Sequence, residues 1–293
     1  MSPLGKQLVV GTANFGLPYG VGQSRVKDQE IQKIVSDVLR RNDVFLETSP
    51  SYIGAEKKVG QILEGEQFER LIVKVPPSAY TSVENFLNSV EDSLSTLNQE
   101  KAYAILLHGT QDAFGENSKY IDRAIDELLD SRTAKHVGIS CYQESEILEA
   151  VRIFPRMSLF QLPENIVDRR KISSPNLTSL YESGVIFQVR SVFLQGLLLG
   201  APRVVPKNLN EIIRSRMEIE KCARENGISE RELCINYAKG IVWASQVVLG
   251  AENFEQYKQN IESLQINRED ISFHVSQVSE FAADPRMWSE LNR

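Results

Sequence analysis

Eight short runs of apolar, often β-branched residues recur along this chain of 293 residues, and longer amphipathic stretches lie between them. Runs of this length are typical of buried strands. The stretches between them repeat their apolar residues every three or four positions, as helices do. We predict helices over residues 28–40, 82–97 and 119–131 and two more between 190 and 246. The predicted strands span residues 7–11, 44–48, 70–75, 102–107, 135–140, 158–162, 185–190 and 246–250.

This alternation favours a parallel sheet made of βαβ units. Eight such units without an interrupting linker predict a closed (β/α)₈ TIM barrel, formed by residues 1–293 as a single domain. An open doubly wound sheet alternates in the same way and is the other fold to consider. The Gly-x-Gly-x-x-Gly fingerprint of a dinucleotide-binding sheet does not follow the first predicted strand, since Gly11, Gly16, Gly20 and Gly22 have other spacings.

Composition narrows the class of protein. The chain is 42% hydrophobic and has a formal net charge of -6, which is typical of a soluble globular protein and argues against nucleic-acid or anionic membrane partners. Three cysteines, Cys141, Cys222 and Cys234, argue against a disulfide framework and for reduced thiols in the cytoplasm. We expect no membrane span, because no segment approaches the length of apolar sequence that a span needs. We also expect no metal site, since His136 and His274 lack neighbours at metal-ligand spacing. The oligomeric state is unknown.

Polar residues lie at the ends of several predicted strands, and in a barrel these ends meet at one opening. Glu47 ends the second strand, Tyr52 follows five residues later, Lys74 is near the end of the third, and His108 directly follows the fourth. Each residue type alone is more often structural than functional. Together they suit proton transfer to a carbonyl, because an ammonium lowers the pKa of a phenol, a carboxylate fixes the ammonium and a neutral imidazole orients the substrate. A cofactor would deliver the hydride.

The segment that carries Glu47 and Tyr52 also resembles a known family. Residues 47–60, Glu-Thr-Ser-Pro-Ser-Tyr-Ile-Gly-Ala-Glu-Lys-Lys-Val-Gly, are similar to the aldo-keto reductase pattern Asp-Thr-Ala, two residues, Tyr-Gly, then Glu and Leu-Gly. Lys74 and His108 lie where this family has its catalytic lysine and histidine.

Further matches extend the resemblance over nearly the whole chain. Residues 137–141, Val-Gly-Ile-Ser-Cys, resemble the Gly-Val-Ser-Asn that contacts the nicotinamide carboxamide, and Gln161 matches the glutamine after the next strand. Ser191 and Gly196 belong to a segment similar to the pyrophosphate loop. Residues 248–260 resemble the adenosine-binding segment, especially that of potassium-channel β subunits.

The resemblance implies a barrel that binds NADP(H) or NAD(H), with a slight preference for NADPH, and reduces an aldehyde or ketone or oxidises the corresponding alcohol or lactol. It implies that Tyr52 donates the proton, Lys74 adjusts its pKa, His108 orients the substrate and Glu47 pairs with Lys74. The cofactor contacts that it implies are Gly11, Thr12, Ala13, Ser140, Cys141, Gln161, Arg190, Ser191, Phe193, Gly196, Gly250, Glu252, Gln256 and Asn260.

Several positions depart from the family pattern. Glu47 replaces an aspartate and Cys141 replaces a frequent asparagine. Arg190 stands where many members have an aromatic ring, which motivates the hypothesis of an anionic substrate. At the adenosine segment, Glu252 would repel a 2′-phosphate.

The loop after the seventh predicted strand supplies two cations, Arg203 and Lys207, which would compensate for that repulsion. The departures also support an alternative function, a cofactor-binding regulatory protein with weak or no turnover. A third alternative, a nonredox epimerase or lyase, would need a neutral amine at Lys74, against its expected pairing with Glu47. We expect a sugar-like or anionic substrate, because the loops after the predicted strands look short and leave an open cleft, and because Arg190 is cationic. The identity of the substrate is not encoded in a readable motif.

Overall fold

The computed structural model describes residues 6–21, 23–200, 209–266 and 271–292. Eight parallel strands close into a barrel in chain order, with β1 paired to β8. The TIM-barrel prediction is therefore confirmed, and each predicted strand is found to within one residue at either end. The strands are β1 (Gln7–Gly11), β2 (Val44–Thr48), β3 (Leu71–Val75), β4 (Ala102–Leu107), β5 (Ala134–Ser140), β6 (Leu159–Pro163), β7 (Ile186–Arg190) and β8 (Gln246–Leu249).

Amphipathic helices surround the barrel at the predicted places. The helix over Asp28–Arg40 buries Ile31, Ile34, Val35 and Val38, which share one face at helical spacing. The helices are α1 (Asp28–Arg40), α2 (Ala55–Leu63), α3 (Val83–Thr96), α4 (Ser118–Asp130), α5 (Glu144–Ile153), α6 (Pro175–Glu182), α7 (Asn210–Glu225), α8 (Glu230–Lys239), α9 (Phe254–Gln265) and α10 (Glu280–Ala283). A 3₁₀ helix, Pro285–Asn292, follows α10.

Buried side chains form two separate apolar clusters. The larger one fills the layer between strands and helices, and the smaller one lies inside the barrel. The inner cluster consists of Val9, Phe45, Ile72, Ala104, Leu106 and Leu159. Because successive strand residues point to opposite faces, these inward positions alternate with residues that face the helices.

A glycine allows the loops that follow β1 and β2 to pack closely against each other. A Cβ atom at Gly16 would collide with the backbone carbonyl of Ile53. Only glycine permits this close approach, which packs the first loop against the turn that carries Tyr52. The packing fixes one side of the opening at the C-terminal ends of the strands.

The described residues contain neither a candidate membrane span nor a candidate metal cluster. None of their helices is both long and apolar enough to cross a membrane. In the same part of the chain, no three His, Cys, Asp or Glu side chains are grouped so that they could hold a metal ion.

Candidate active site

A cleft of about 560 Å³ lies at the C-terminal ends of the strands, where barrel enzymes carry their active sites. The four predicted catalytic side chains all line it: Glu47, Tyr52, Lys74 and His108. Most of the predicted cofactor contacts line it as well, namely Gly11, Ala13, Ser140, Gln161, Arg190, Ser191, Phe193, Gly196, Gly250, Glu252 and Gln256.

A buried ion pair lies at the base of this cleft. Lys74 Nζ on β3 is 2.7 Å from Glu47 Oε1 on β2, and the two side chains are only 5% and 3% exposed. The other carboxylate oxygen, Glu47 Oε2, accepts a hydrogen bond from Gln161 Nε2. Both oxygens of the carboxylate are thus engaged, which offsets part of the cost of burying its charge.

Tyr52 lies in the turn between β2 and α2, where its N–H donates to the carbonyl of Ser49. Its hydroxyl oxygen is 3.5 Å from Glu47 Oε1, and Lys74 Nζ is 5.0 Å from the centre of its ring. Burial and, secondly, the charge of Glu47 raise the pKa of Tyr52 well above its usual value. The sequence predicts that Lys74 lowers the pKa of this phenol, and the structure indicates the opposite. Burial raises the pKa, and the Glu47 carboxylate, which pairs with the Lys74 ammonium, also lies next to the phenol. A phenol in this state keeps its proton at neutral pH.

His108 follows β4 and is held by Ser49. The Ser49 hydroxyl donates to the carbonyl of Lys74 at 2.9 Å, and its oxygen lies 3.0 Å from His108 Nδ1. Since serine has one hydroxyl hydrogen, His108 must donate in this contact through Nδ1–H, which leaves Nε2 as an acceptor. Burial and then the charges of Lys74 and Arg190 lower the pKa of His108 to about 2, so that its imidazole is neutral at physiological pH.

Arg190, the last residue of β7, contributes a cation to the cleft. Its Nη2 donates to the carbonyl of Cys141 and its Nη1 to the hydroxyl of Ser191, both at 3.1 Å. Its Nε is buried and has no hydrogen-bond partner among the described residues. The guanidinium carbon is 4.1 Å from the ring centre of Tyr142, and that of Arg286 lies 3.3 Å from the same centre. Two guanidinium groups therefore gather at one aromatic ring beside the cleft.

A second set of side chains, which we name the Arg231 group, lies around the loop after β8 and the start of α8. Arg231 Nη1 donates to Asn260 Oδ1 at 2.7 Å, and its guanidinium is 4.9 Å from the ring centre of Phe193. The backbone N–H of Glu252 donates to Gln256 Oε1 at 3.0 Å. Burial lowers the pKa of Arg231, and the negative charge of Glu252 partly opposes this by raising it. These five residues form the group.

Three predicted cofactor residues do not line the cleft, namely Thr12, Cys141 and Asn260. Cys141 packs in the layer between strands and helices, because it follows Ser140, whose side chain faces the barrel. Asn260 is buried behind Arg231. The predicted cations Arg203 and Lys207 lie outside the described residues.

Sequence reasoning missed several residues that line the cleft, among them Asn14, Tyr19, Tyr142 and Arg231. Asn14 and Tyr142 lie a few residues beyond β1 and β5, so the strand-end argument already contained the signal for them. Arg231 lies near the start of α8 and does not follow the C-terminal end of a strand, so the strand-end pattern could not identify it.

A comparison with known protein families shows to which family the chain belongs. A model of the Aldo/keto reductase family matches residues 7–275. The chain belongs to the aldo/keto reductase family. As a member of this family it is an NAD(P)H-dependent oxidoreductase that acts on carbonyl compounds. No curated protein sequence gives a significant match.

Solved structures with the same fold include other members of the family. Aldo-keto reductase AKR11C1 from Bacillus halodurans, in its holo form, is 19% identical with a TM-score of 0.69, and the alignment covers 98% of this chain and 92% of that one. The thermostable aldo-keto reductase Tm1743, in complex with the inhibitor epalrestat, is 16% identical with a TM-score of 0.69 and coverages of 97% and 94%. The glycerol dehydrogenase AKR11B4 from Gluconobacter oxydans is 16% identical with a TM-score of 0.67 and coverages of 97% and 90%. The resemblance of the adenosine segment to channel β subunits stays a prediction.

The residues of the cleft fit the nicotinamide dinucleotide that this aldo/keto reductase uses. Arg190 and Arg231 both line the cleft, so two guanidinium groups are available to a negatively charged ligand. Phe193 adds an aromatic face beside Arg231. This combination of apolar surface and a few placed donors is typical of cofactor pockets.

Proposed function

We propose that this aldo/keto reductase reduces an aldehyde or ketone, or oxidises the corresponding alcohol or lactol, with Tyr52 as the proton donor. The observation that carries the proposal is the position of the Tyr52 hydroxyl, which lies at the cleft beside the buried Glu47–Lys74 ion pair. NAD(P)H, when bound, supplies the hydride for the carbonyl carbon.

Each side chain around Tyr52 has a separate role in this proposal. The Tyr52 hydroxyl gives its proton to the carbonyl oxygen of the substrate as negative charge develops there. The Lys74 ammonium stabilises the phenolate that remains, and Glu47 keeps this ammonium charged and in place. In the oxidation direction the phenolate takes the proton back from the hydroxyl of the alcohol.

The charges and donors of the cleft favour a substrate that is sugar-like or anionic. Arg190 has no carboxylate within ion-pair distance among the described residues, so an anionic group of the substrate would complete its interactions. His108 Nε2 is an acceptor and would receive a hydrogen bond from a substrate hydroxyl. An anionic or polyhydroxylated carbonyl compound satisfies these two side chains better than a plain aliphatic aldehyde does.

For the cofactor, we keep the contacts implied by the family resemblance and add Arg231. Glu252 opposes a 2′-phosphate, whereas Arg231 lies close enough to Glu252 for their charges to interact. The balance supports use of both NADPH and NADH, with a slight preference for NADPH. The cysteines Cys141, Cys222 and Cys234 are all free thiols, which supports a cytoplasmic location.

The test is titration of the purified protein with NADPH and with NADH, followed by the quenching of Trp243 and Trp288 fluorescence. Sugar aldehydes, anionic aldehydes and neutral aldehydes are then added to the complex, and the absorbance of the reduced cofactor is recorded. Binding followed by oxidation of the cofactor supports the proposal. Tight binding without oxidation across the whole panel favours the alternative of a regulatory protein.

A further inference from the structure

Four glutamines form a hydrogen-bonded ladder inside the barrel. Gln7, Gln246, Gln188 and Gln161 occupy matching register positions on the adjacent strands β1, β8, β7 and β6. Their side-chain amides are joined in that order at distances of 3.2, 2.8 and 2.9 Å. Gln161 and Gln188 are fully buried, and only Gln7, at the start of β1, is exposed.

The ladder ends on the carboxylate of the active site. Gln161 Nε2 donates one hydrogen to Gln188 Oε1 and the other to Glu47 Oε2. Gln161 Oε1 accepts a hydrogen bond from the hydroxyl of Ser140 at 3.1 Å. Both amide hydrogens of Gln161 are therefore committed, one to the ladder and one to the carboxylate.

The direction of every bond in the ladder is fixed. Gln188 Nε2 donates to Gln246 Oε1, and Gln246 Nε2 donates to Gln7 Oε1. If the amide of Gln161 were reversed, its oxygen would face both Glu47 Oε2 and Gln188 Oε1, and the repulsion between these oxygens would exclude that rotamer. A reversal further along the ladder would likewise place two oxygens or two N–H groups against each other. The orientation of each amide thus depends on its neighbours.

Another part of the barrel interior is apolar. There the inward positions are filled by apolar side chains such as Phe45, Ile72 and Leu106. Buried amides cost free energy unless all their hydrogen bonds are made, whereas apolar residues of similar volume do not carry this cost. Glu47 Oε2 accepts a hydrogen bond from Gln161, and we expect the carboxylate of an aspartate, one methylene shorter, to reach less far toward this amide.

We propose that Gln161, Gln188 and Gln246 are positioning residues that fix the orientation of the Glu47 carboxylate for the reaction. This inference rests on the proposed function of Glu47, Lys74 and Tyr52. The bond to Gln161 prevents Glu47 from rotating, so that Oε1 stays on Lys74 and beside the Tyr52 hydroxyl. Loss of the ladder would let the carboxylate turn, and proton transfer from Tyr52 would slow.

The test replaces the second amide of the ladder, which does not touch Glu47. Gln188→Met is expected to lower kcat roughly fivefold to tenfold, the effect of weakening one hydrogen bond to a charged catalytic group. The matched control is Gln99→Met. Gln99 is an equally buried glutamine, but its hydrogen bonds go to the backbone of Glu66, Phe68 and neighbouring loop residues. This control is expected to lose stability and to keep its kcat.

A double-mutant cycle separates positioning from a merely structural role. In the Glu47→Asp background the shorter carboxylate no longer reaches Gln161, so Gln188→Met is expected to change kcat by less than about twofold. If Gln188→Met lowers kcat equally in both backgrounds, or not at all in the wild-type background, the inference is wrong. Such a result leaves the proposed function intact, because wild-type turnover is measured in the same experiment.

A measurement without cofactor or substrate keeps the inference testable if the wild-type protein shows no turnover. The side-chain amide signals of Gln161 and Gln188 are recorded by ¹⁵N NMR and assigned with the corresponding variants. Glu47→Asp is expected to shift the signals of both residues, since a change at the carboxylate is passed along the ladder. A shift of neither signal would overturn the inference.

Discussion

The two groups of side chains that line the cleft differ in how they are held. The first, the Tyr52 group, consists of Glu47, Tyr52, Lys74 and His108. In it, Glu47 and Lys74 are almost fully buried and form an ion pair, and Glu47 also accepts a hydrogen bond from Gln161 inside the barrel. In the Arg231 group, Glu252 is exposed and Arg231 is only partly buried. A change in the first group disturbs a buried ion pair, whereas the charges of the second group are more exposed and are screened more strongly by water. We therefore expect substitutions in the first group to lower kcat strongly. Substitutions in the second group should change the ratio of the Kd values for NADPH and NADH by smaller amounts.

The largest effect is expected from Lys74→Met. It leaves the Glu47 carboxylate buried without its cation, which costs about 3–5 kcal/mol of unfolding free energy. It also removes the ammonium beside the phenolate, so kcat falls by about 10² to 10³. Denaturant unfolding and steady-state kinetics measure the two effects.

A matched control for this change is Lys33→Met, because Lys33 pairs with Glu30 on an exposed helix face. We expect it to alter stability by less than about 1 kcal/mol and to leave kcat unchanged. The double variant Glu47→Leu with Lys74→Met should recover stability but not activity. Equal losses for Lys74→Met and Lys33→Met would remove the distinction between the buried group and the exposed surface.

The next effect concerns the substrate. Arg190→Met is expected to lower kcat/KM about tenfold for anionic aldehydes and less than twofold for neutral ones, because a charge-assisted hydrogen bond is lost only with the anions. Arg190→Lys should retain part of the discrimination, since it keeps the charge but not the fork of donors. Equal losses for both substrate classes would contradict an anion site at Arg190.

Smaller changes are expected in the Arg231 group. Arg231→Met should weaken NADPH binding by up to about fivefold and leave NADH binding nearly unchanged, because only NADPH carries the 2′-phosphate. Glu252→Gln should change the ratio of the two Kd values in the opposite direction. Fluorescence titrations measure both. A Kd ratio that neither variant alters would show that this group does not read the 2′-phosphate.

The smallest effect is expected in the pH dependence. Because the pKa of His108 is lowered to about 2, the activity should show no inflection near the usual histidine pKa between about pH 5 and 8. The unfolded chain binds a proton at this histidine below about pH 6.5 and the folded chain does not, so stability should decrease as the pH falls below that value. His108→Asn should reduce this slope. An inflection near pH 6.5 that disappears in His108→Asn would contradict the neutral assignment.

The sequence was informative where local rules act. Strand and helix positions followed from apolar periodicity, and Glu47, Tyr52, Lys74 and His108 followed from their places at strand ends. The glutamine ladder could not be predicted, because it depends on the register between strands that are up to about 240 residues apart in the chain. Cys141 illustrates a further limit. Strand alternation predicts that its side chain points away from that of Ser140, but the resemblance to the family pattern led to the prediction that Cys141 contacts the cofactor.

The most direct test of the account is Tyr52→Phe, which removes one hydroxyl and keeps the ring. The measurement is kcat for carbonyl reduction together with the Kd for NADPH on the same preparation. We predict a fall in kcat of about 10² to 10⁴ with a Kd within about twofold of the wild-type value. Carbonyl reduction at the wild-type rate in Tyr52→Phe would contradict the assignment of Tyr52 as proton donor, and with it the roles given to Glu47 and Lys74.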